Sequence, residues 1–151
     1  MSDSAAGLIE QLRLAAHPEG GWYRETWRGE VGPDGRASGT AILFLLQAGE
    51  ASHWHSVDAA ELWLWQAGDP LELRLSADDA GPVRLVILGA DIAAGQHLQG
   101  LVAPGEWQAA RPIGDPQHGY SLVSCVVVPG FDFAGFTLAP AGWEPGEGVG
   151  A

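Results

Sequence analysis

The chain has 151 residues, which suits one domain with its own core and leaves little room for a second. Apolar residues make up 46% of the chain and charged residues 17%, so the composition is not that of a disordered protein. The formal net charge is −12 and only seven residues are basic, which excludes a basic nucleic-acid-binding surface and makes contact with an anionic membrane unfavourable.

Cys125 is the only cysteine, so no disulfide can form within the chain. It lies in the apolar run of residues 123–128, where a small buried thiol is expected. The first residues lack a basic region followed by an apolar stretch, and no apolar run approaches the roughly 20 residues needed to span a bilayer. These patterns predict a cytoplasmic protein.

The first predicted element is a short helix over residues 4–16. Leu8, Ile9 and Leu12 fall on one face at helical spacing, and Ser4 is a suitable cap for the start. Proline and two glycines follow directly and end the helix.

After the helix, the pattern consists of strands and turns. Alternating or continuous apolar runs predict strands over residues 22–27, 40–47, 51–56, 60–66, 71–76, 83–88, 96–102, 107–110, 120–128 and 136–138. Since their spacing is about 8–12 residues and no helices separate them, the chain is predicted to be an all-β sandwich or barrel. The predicted organisation is an N-terminal helix packed on the barrel (residues 1–16), a barrel (17–138) and a mobile Gly/Pro/Glu-rich tail (139–151).

The segment richest in chemically active side chains contains His53, His55 and Glu61. On a strand, two histidines spaced by two residues point to the same side, and a glutamate on the next strand can face the same space. Such a set can hold a divalent metal or carry out acid–base chemistry. From spacing alone, a metal site, a metal-free polar pocket and incidental surface histidines all remain open.

The same segment resembles the first signature motif of the cupin superfamily, and Pro104-Gly105 lies where the second motif would be. The chain is also similar to a small single-domain cupin family of largely unassigned function. The blocks that carry this similarity are residues 17–25 (HPEGGWYRE), 52–61 (SHWHSVDAAE) with Trp63, 68–71 (GDPL), 104–108 (PGEWQ), 120–123 (YSLV) and 129–133 (PGFDF).

The resemblance implies a double-stranded β-helix, the cupin jelly-roll barrel, often dimeric and with one open end lined by polar and aromatic side chains. It also invites comparison with sugar-modifying epimerases and isomerases. In metal-bearing cupins the second motif supplies a further histidine, whereas this chain has Glu106, Trp107 and Gln108 there. His97 and His118 are the remaining candidates for that ligand. The three-histidine, one-glutamate metal cage is therefore incomplete.

Candidate catalytic residues follow from these motifs. His55 with Glu61 is the natural base pair, and the phenol of Tyr120, which opens the last long strand, is a candidate acid. The alternative role for Tyr120 is a hydrogen bond at the rim. If a divalent metal is bound instead, its ligands are predicted to be His53, His55 and Glu61.

Ligand-binding candidates share an aromatic or polar side chain within the blocks that carry the resemblance, and Trp107 with Gln108 lies where the second motif would meet the barrel mouth. Aromatic faces suit sugar rings, and an arginine beside aromatics can bind carboxylate or phosphate, although core packing and an Arg–Glu pair are the alternatives. The predicted set is Tyr23, Arg24, Ser52, Trp63, Trp107 and Gln108.

Three functions are compatible with these residues. The favoured one is a metal-independent isomerase or epimerase acting on a sugar or similar polar metabolite, requiring no cofactor. The others are a metal-dependent, dioxygenase-like cupin enzyme and a binding or sensing module without chemistry. A homodimer is expected, and the partner is expected to be a small-molecule ligand rather than nucleic acid or a membrane.

Overall fold

The computed structural model describes residues 4–146, which form one helix, eleven strands and two short 3-10 helices. The helix α1 spans Ala5–Gln11, and the 3-10 helices span Ile92–Ala94 and Phe133–Gly135. The strands are β1 (Ala15–Ala16), β2 (Trp22–Arg28), β3 (Thr40–Gln47), β4 (Ser52–Val57), β5 (Ala60–Gly68), β6 (Leu71–Ser76), β7 (Arg84–Leu88), β8 (Gln99–Val102), β9 (Trp107–Pro112), β10 (Tyr120–Val128) and β11 (Phe136–Leu138). Within residues 4–146, no helix is long and apolar enough to cross a membrane.

The strands form two antiparallel sheets. One has the order β1-β2-β3-β10-β5-β8, and the other has the order β11-β4-β9-β6-β7. Neighbours in each sheet are mostly distant in sequence, as in a jelly roll, where the chain crosses repeatedly between the sheets. The predicted all-β jelly-roll fold with a short N-terminal helix is therefore confirmed.

The core lies between the two sheets. Phe44, Trp63 and Val123 from the six-stranded sheet pack in one buried cluster with the alternating leucines of β6. Those leucines, Leu71 and Leu73 among them, are fully buried because side chains along a strand alternate between the core and the opposite face. This packing closes most of the barrel and leaves a cavity at one end.

The helix is shorter than predicted. Ser4 caps α1 by accepting a hydrogen bond from the Gly7 backbone N–H at 3.0 Å, but the helix ends at Gln11. Arg13 then adopts a left-handed backbone conformation (φ 58°), which no α-helix can continue through. The chain turns into β1, which pairs with the start of β2.

A register shift in β2 decides which side chains face the cavity. Tyr23 pairs with Phe44 and Glu25 with Ile42, but after the shift Arg28, rather than Trp27, pairs with Thr40. The extra residue in β2 exchanges the two faces of the sheet for every side chain that follows it in the strand. The shift therefore turns the Arg28 side chain toward the cavity.

Residues 139–146 make defined contacts with the barrel. The Ala139 N–H donates to the Trp54 carbonyl at 3.0 Å, and Trp143 stacks against Trp107 with ring centroids 4.6 Å apart. Mobility of the tail stays a prediction, and residues 147–151 lie outside the described residues.

Asp69, in the turn between β5 and β6, holds the loop that precedes β10. Its buried carboxylate accepts three backbone N–H bonds, from Gln117 at 3.0 Å, His118 at 2.9 Å and Gly119 at 2.9 Å. The three bonds satisfy backbone N–H groups of the loop that would otherwise lack hydrogen-bond partners.

We predict that Asp69→Asn lowers the free energy of unfolding by about 1–3 kcal/mol, because an amide offers one acceptor oxygen and turns its NH₂ group toward a backbone donor. Urea unfolding followed by tryptophan fluorescence measures the change. Asp115→Asn, at an exposed position of the same loop, is the control and should leave stability nearly unchanged. Equal effects of the two substitutions would contradict this role for Asp69.

Candidate functional site

A cavity of about 300 Å³ opens at one end of the barrel. Strands of both sheets and the loop before β11 contribute its wall. The lining residues are His17, Glu19, Tyr23, Glu25, Arg28, Thr40, Ile42, His55, Val57, Glu61, Cys125, Val127, Phe131, Asp132 and Phe133. Concave sites of this size, apolar with a few convergent polar groups, are typical of small-molecule pockets.

The innermost feature is an ion pair between His55 on β4 and Glu19 in the loop before β2. Both side chains are buried, and His55 Nε2 lies 2.8 Å from Glu19 Oε2. His55 Nδ1 lies 2.8 Å from the His53 carbonyl oxygen. Since a carboxylate and a carbonyl only accept, both ring nitrogens donate and His55 is an imidazolium.

The charges of the pair sustain each other. Burial opposes protonation of His55, but the charge and hydrogen bond of Glu19, with the nearby charge of Glu61, raise the pKa of His55 to about 9. Burial likewise acts to raise the pKa of Glu19, yet the charge and hydrogen bond of His55 bring it below its ordinary value. The pair is therefore ionised at neutral pH.

Glu61, on β5, is the second buried carboxyl. Burial raises the pKa of Glu61 to about 7; the charge of His55 opposes this rise, and the charge of Glu19 adds to it. Hydrogen bonds from Gln108 and Cys125 favour the carboxylate form. A carboxyl whose pKa lies near neutrality can both take up and release a proton under physiological conditions, as a general base or acid must.

A hydrogen-bonded chain behind the cavity orients Glu61. Trp63 Nε1 donates to Gln108 Oε1 at 2.8 Å, and Gln108 Nε2 donates to Glu61 Oε1 at 3.0 Å. Because an indole N–H can only donate, it fixes the amide oxygen of Gln108 toward Trp63 and the NH₂ group toward Glu61. Both Trp63 and Gln108 are fully buried and belong to the wall behind Glu61.

His17 adds a neutral imidazole to the cavity. Its Nδ1 accepts a hydrogen bond from the Glu19 backbone N–H at 3.1 Å, which leaves the proton on Nε2. Burial lowers the pKa of His17, although Glu19 acts to raise it and His55 lowers it further. The ring packs edge-to-face on Tyr23, with centroids 4.4 Å apart.

Cys125 stands beside Glu61. Burial, reinforced by the charges of Glu61 and Glu19, raises the pKa of this thiol well above its ordinary value. It therefore stays an S–H donor to Glu61 and is not a nucleophilic thiolate.

The mouth of the cavity combines a charged pair with aromatic rings. Arg28 Nε and Nη2 each donate to a carboxylate oxygen of Glu25 at 2.8 Å, and Nη2 also lies 3.3 Å from the Phe131 carbonyl. The rings of Phe131 and Phe133 pack edge-to-face at 4.8 Å, and that of Phe136 lies 5.7 Å from Phe131.

Of the predicted catalytic residues, the structure brings His55 and Glu61 together, and Tyr120 lies elsewhere. Tyr120 is packed with Leu14 and Leu45 in the cluster that α1 covers, and the cavity lining does not include it. Its position at the start of β10 is five residues from Cys125, about 17 Å along an extended strand.

The two histidines of the first motif do not share one environment. Strand β4 shifts register between Ser52 and His55, so simple alternation fails within this segment. His53 Nε2 lies 2.9 Å from the Pro140 carbonyl oxygen, outside the cavity, whereas His55 lines it. The expectation that both point to the same side is therefore wrong.

The predicted ligand-binding residues fall into three groups. Tyr23 lines the cavity. Ser52, buried beside Glu19, and the Trp63–Gln108 chain lie behind the cavity wall. Arg24 is exposed and outside the lining, and Trp107 donates to Asp79 at 2.7 Å and packs against Trp143.

The donor set does not fit the metal predicted for His53, His55 and Glu61. Across residues 4–146, no group of three or more His, Cys, Asp or Glu side chains is placed to hold a metal ion. Both His55 nitrogens contact groups of the chain, Glu19 and the His53 carbonyl, so a metal would have to displace one of these contacts. His97 and His118 do not line the cavity.

Several cavity residues lie outside the set predicted from the sequence, chiefly His17, Glu19, Glu25, Arg28 and Cys125. His17, Glu19 and Glu25 all belong to the block HPEGGWYRE, which carries part of the family resemblance. The density of charged and aromatic residues in that block is the signal that could have indicated them.

The raised pKa values predict a stability that falls as pH rises. The folded-state pKa of Glu61 is about 7 against an ordinary 4.5, so the folded form holds this proton more tightly and stability declines between these values. His55 stabilises fully below its ordinary pKa of 6.5, and that contribution is lost as pH rises through about 9. Urea unfolding at a series of pH values between 5 and 9 measures both declines.

We predict that Glu61→Gln removes the contribution that declines between pH 5 and 7 and leaves a smaller decline above pH 7, since His55 loses the Glu61 charge that helps raise its pKa. Glu10→Gln, on the exposed face of α1, is the matched control and should preserve the wild-type profile. An unchanged slope below pH 7 in Glu61→Gln would show that this carboxyl does not hold its proton as the geometry indicates.

We further predict that Gln108→Leu lowers the free energy of unfolding by about 1–3 kcal/mol, because the buried Trp63 N–H loses its acceptor. The same change raises the pKa of Glu61 above about 7, since the carboxylate loses a donor. Carboxyl ¹³C chemical shifts against pH measure the pKa. Gln99→Leu on exposed β8 is the control, and a Glu61 pKa that moves equally in both variants would contradict the prediction.

Comparison with known proteins agrees with this architecture. The family model described as "Cupin superfamily (DUF985)" matches residues 6–139. A hypothetical protein from Leishmania major is 35% identical, with a TM-score of 0.82 over 91% of this chain and 88% of that one. A protein from Shewanella oneidensis is 38% identical, with a TM-score of 0.83 over 91% of this chain and 85% of that one.

Structural similarity extends to more distant proteins. A variant of oxalate decarboxylase from Bacillus subtilis is 14% identical, with a TM-score of 0.59 over 82% of this chain and 29% of that one, and this likeness concerns the fold alone. No curated protein matches the chain. The family resemblance inferred from the sequence blocks is confirmed, and the chain belongs to the DUF985 family of the cupin superfamily.

Proposed function

We propose that the cavity binds a small polar metabolite and that Glu61 moves a proton on it without a metal, as an isomerase or epimerase does. The observation that carries this proposal is Glu61 itself, a cavity-lining carboxyl with a pKa of about 7 that Gln108 and Cys125 orient. Carboxyls tuned toward neutrality by burial are suited to general acid–base catalysis.

The proposed step begins with a substrate bearing a C–H bond next to a carbonyl. The carboxylate of Glu61 takes the proton from that carbon, and the electron pair of the C–H bond moves into an enolate whose oxygen carries the negative charge. Return of a proton to the same carbon from the other face, by Tyr23 as the acid, gives an epimer, and solvent then restores the protonation of Tyr23 and Glu61. When that carbon carries a hydroxyl, the enolate is an enediolate: Glu61 returns its proton to the former carbonyl carbon, the hydroxyl proton passes to the enolate oxygen, and the product is the aldose–ketose isomer. No electron is gained or lost overall.

The other cavity residues have distinct roles in this step. The positive charge of His55 stabilises the developing enolate through space, because its two N–H groups are already bonded to Glu19 and the His53 carbonyl. The Nε2–H of neutral His17 and the phenol of Tyr23 are the donors available to the enolate oxygen. Tyr23 takes the acid role in this proposal because it lines the cavity, as Tyr120 does not.

A binding module without chemistry is the second candidate. Its support is that the polar interior is internally paired, with His55 bonded to Glu19 and Gln108 bridging Trp63 and Glu61, as a static polar core would be. A metal-dependent oxygenase lacks such support, since the donor set does not fit. A homodimer and a cytoplasmic location remain predictions that accompany either function.

Deuterium exchange tests the proposal across a panel of candidate substrates. The protein is incubated in D₂O near neutral pH with aldoses, ketoses and hydroxyketones, and ¹H NMR follows loss of the signal from the carbon next to the carbonyl. We expect wild-type protein to catalyse exchange into at least one compound and Glu61→Gln to slow it by about 10²–10⁴-fold. Glu10→Gln should exchange as wild type does.

Two outcomes would contradict the catalytic proposal. Exchange at the wild-type rate in Glu61→Gln would show that Glu61 is not the base. A compound that binds the wild-type cavity without exchanging its proton, detected by ligand-observed NMR, would favour the binding module.

A further inference from the structure

The cationic side chains around the cavity are few. All seven basic residues of the chain are arginines, all lie within the described residues, and Arg28 is the one that lines the cavity. The other cation in the lining is protonated His55, since His17 is held neutral by burial. These two groups are the only positive charges in the described lining that could attract an anionic ligand.

Each of the two cations already faces a carboxylate of the chain. Glu19 occupies His55 Nε2 at 2.8 Å in the buried interior. Glu25 occupies one bidentate edge of the Arg28 guanidinium, at 2.8 Å for Nε and 2.8 Å for Nη2. Bidentate contacts of this kind are the geometry in which arginine recognises anionic ligands.

Further negative charge lies beside the same arginine. Asp132 lines the cavity and is close enough to Arg28 to stabilise its charge, while its own Oδ1 accepts the Ala134 N–H at 3.0 Å. Arg36, whose charge Asp132 also stabilises, is bound through two nitrogens to Asp58 at 2.7 and 3.0 Å. With Glu61 deeper inside, the carboxylates of the lining outnumber its cations.

The balance of charge at the mouth does not depend on the strength of the Arg28–Glu25 pair. An exposed pair is weak, and solvent can open it. The carboxylate charges of Glu25 and Asp132 stay at the mouth whether the pair is open or closed, so an approaching anion meets no net positive charge. The overall charge of −12 adds repulsion at longer range.

We infer that Glu25 and Asp132 are specificity-determining residues that keep anionic compounds out of the cavity, so that its ligand carries neither phosphate nor carboxylate. This inference rests on the proposed ligand-binding function and narrows it, because sugar phosphates and nucleotide sugars are excluded and neutral or cationic polar compounds remain. The rings of Phe131 and Phe133 offer such a compound an apolar face at the entrance.

Sulfate is the probe for this inference, because its charge is constant between pH 6 and 8. Sulfate is titrated into ¹⁵N-labelled protein with chloride adjusting the ionic strength, and the Arg28 Nε–H and the Phe131–133 amides report binding at the mouth. The test variant is Glu25→Gln with Asp132→Asn, where asparagine can still cap Ala134. It should bind sulfate at least about tenfold more tightly than wild type.

The chain provides a matched control. Glu72→Gln with Asp91→Asn makes the same change in net charge, frees Arg111 from its 3.1 Å contact with Glu72, and retains a side-chain cap at Ala94, but lies outside the cavity lining. This control should leave sulfate binding at the mouth as in wild type. A separate test of folding is the amide spectrum itself, which should keep the wild-type dispersion in both variants.

Two results would overturn the inference. One is saturable sulfate binding at Arg28 of the wild-type protein as tight as in the test variant. The other is a gain in the test variant no larger than in the control. The sulfate titration needs no turnover. Absence of deuterium exchange would therefore contradict the proposed chemistry without affecting the inference about charge. Tight sulfate binding to the wild-type protein would contradict the inference about charge without affecting the proposed chemistry.

Discussion

The site depends on the buried ion pair between His55 and Glu19. Two charges removed from water are tolerated only when they are close and when their remaining polar atoms have partners. Here His55 reaches both Glu19 and the His53 carbonyl, so the imidazolium is fully bonded. The pair also joins segments distant in sequence, the loop before β2 and strand β4, so that the polar end of the barrel is assembled by long-range contacts. Removing either partner would leave an uncompensated charge in the interior.

The proton affinity of Glu61 is a consequence of that pair. Burial favours the neutral form of Glu61. The charge of His55 favours the carboxylate form, and the charge of Glu19 opposes it. Of the two opposing charges, that of His55 has the larger effect, and the donors Gln108 and Cys125 add to it against the effect of burial. Gln108 in turn cannot rotate, since Trp63 fixes its amide. The pKa near neutrality is thus set jointly by burial, by the two neighbouring charges and by the hydrogen bonds that hold Glu61 in place.

The strands could be predicted from the sequence because alternation survives wherever a strand has one buried face, as along β6, where every second residue is a buried leucine. The site could be predicted only in part, and register shifts account for much of the difference. In β4 a shift separates His53 from His55, and in β2 a shift turns Arg28 inward. A shift of this kind depends on the pairing with the neighbouring strand, which a pattern within one strand does not contain. Glu19 was missed for a related reason, since a loop residue carries no periodicity that indicates where it faces.

Gln108 occupies the position of a metal ligand in other cupins and hydrogen-bonds a buried carboxyl instead. It lies in the second motif, shortly after Pro104-Gly105, where metal-bearing cupins carry a further histidine ligand. An imidazole at this position could offer a lone pair to a cation. The amide of Gln108, which Trp63 orients, instead directs an N–H donor at Glu61. This hydrogen bond would compete with any cation for the Glu61 carboxylate. The protonated His55 acts in the same direction, because a positive charge next to the carboxylates takes the place that a metal ion would occupy electrostatically. Fold and motif positions are therefore those of a cupin, and the cavity holds a carboxyl that is hydrogen-bonded within the chain rather than placed in a cluster of metal ligands.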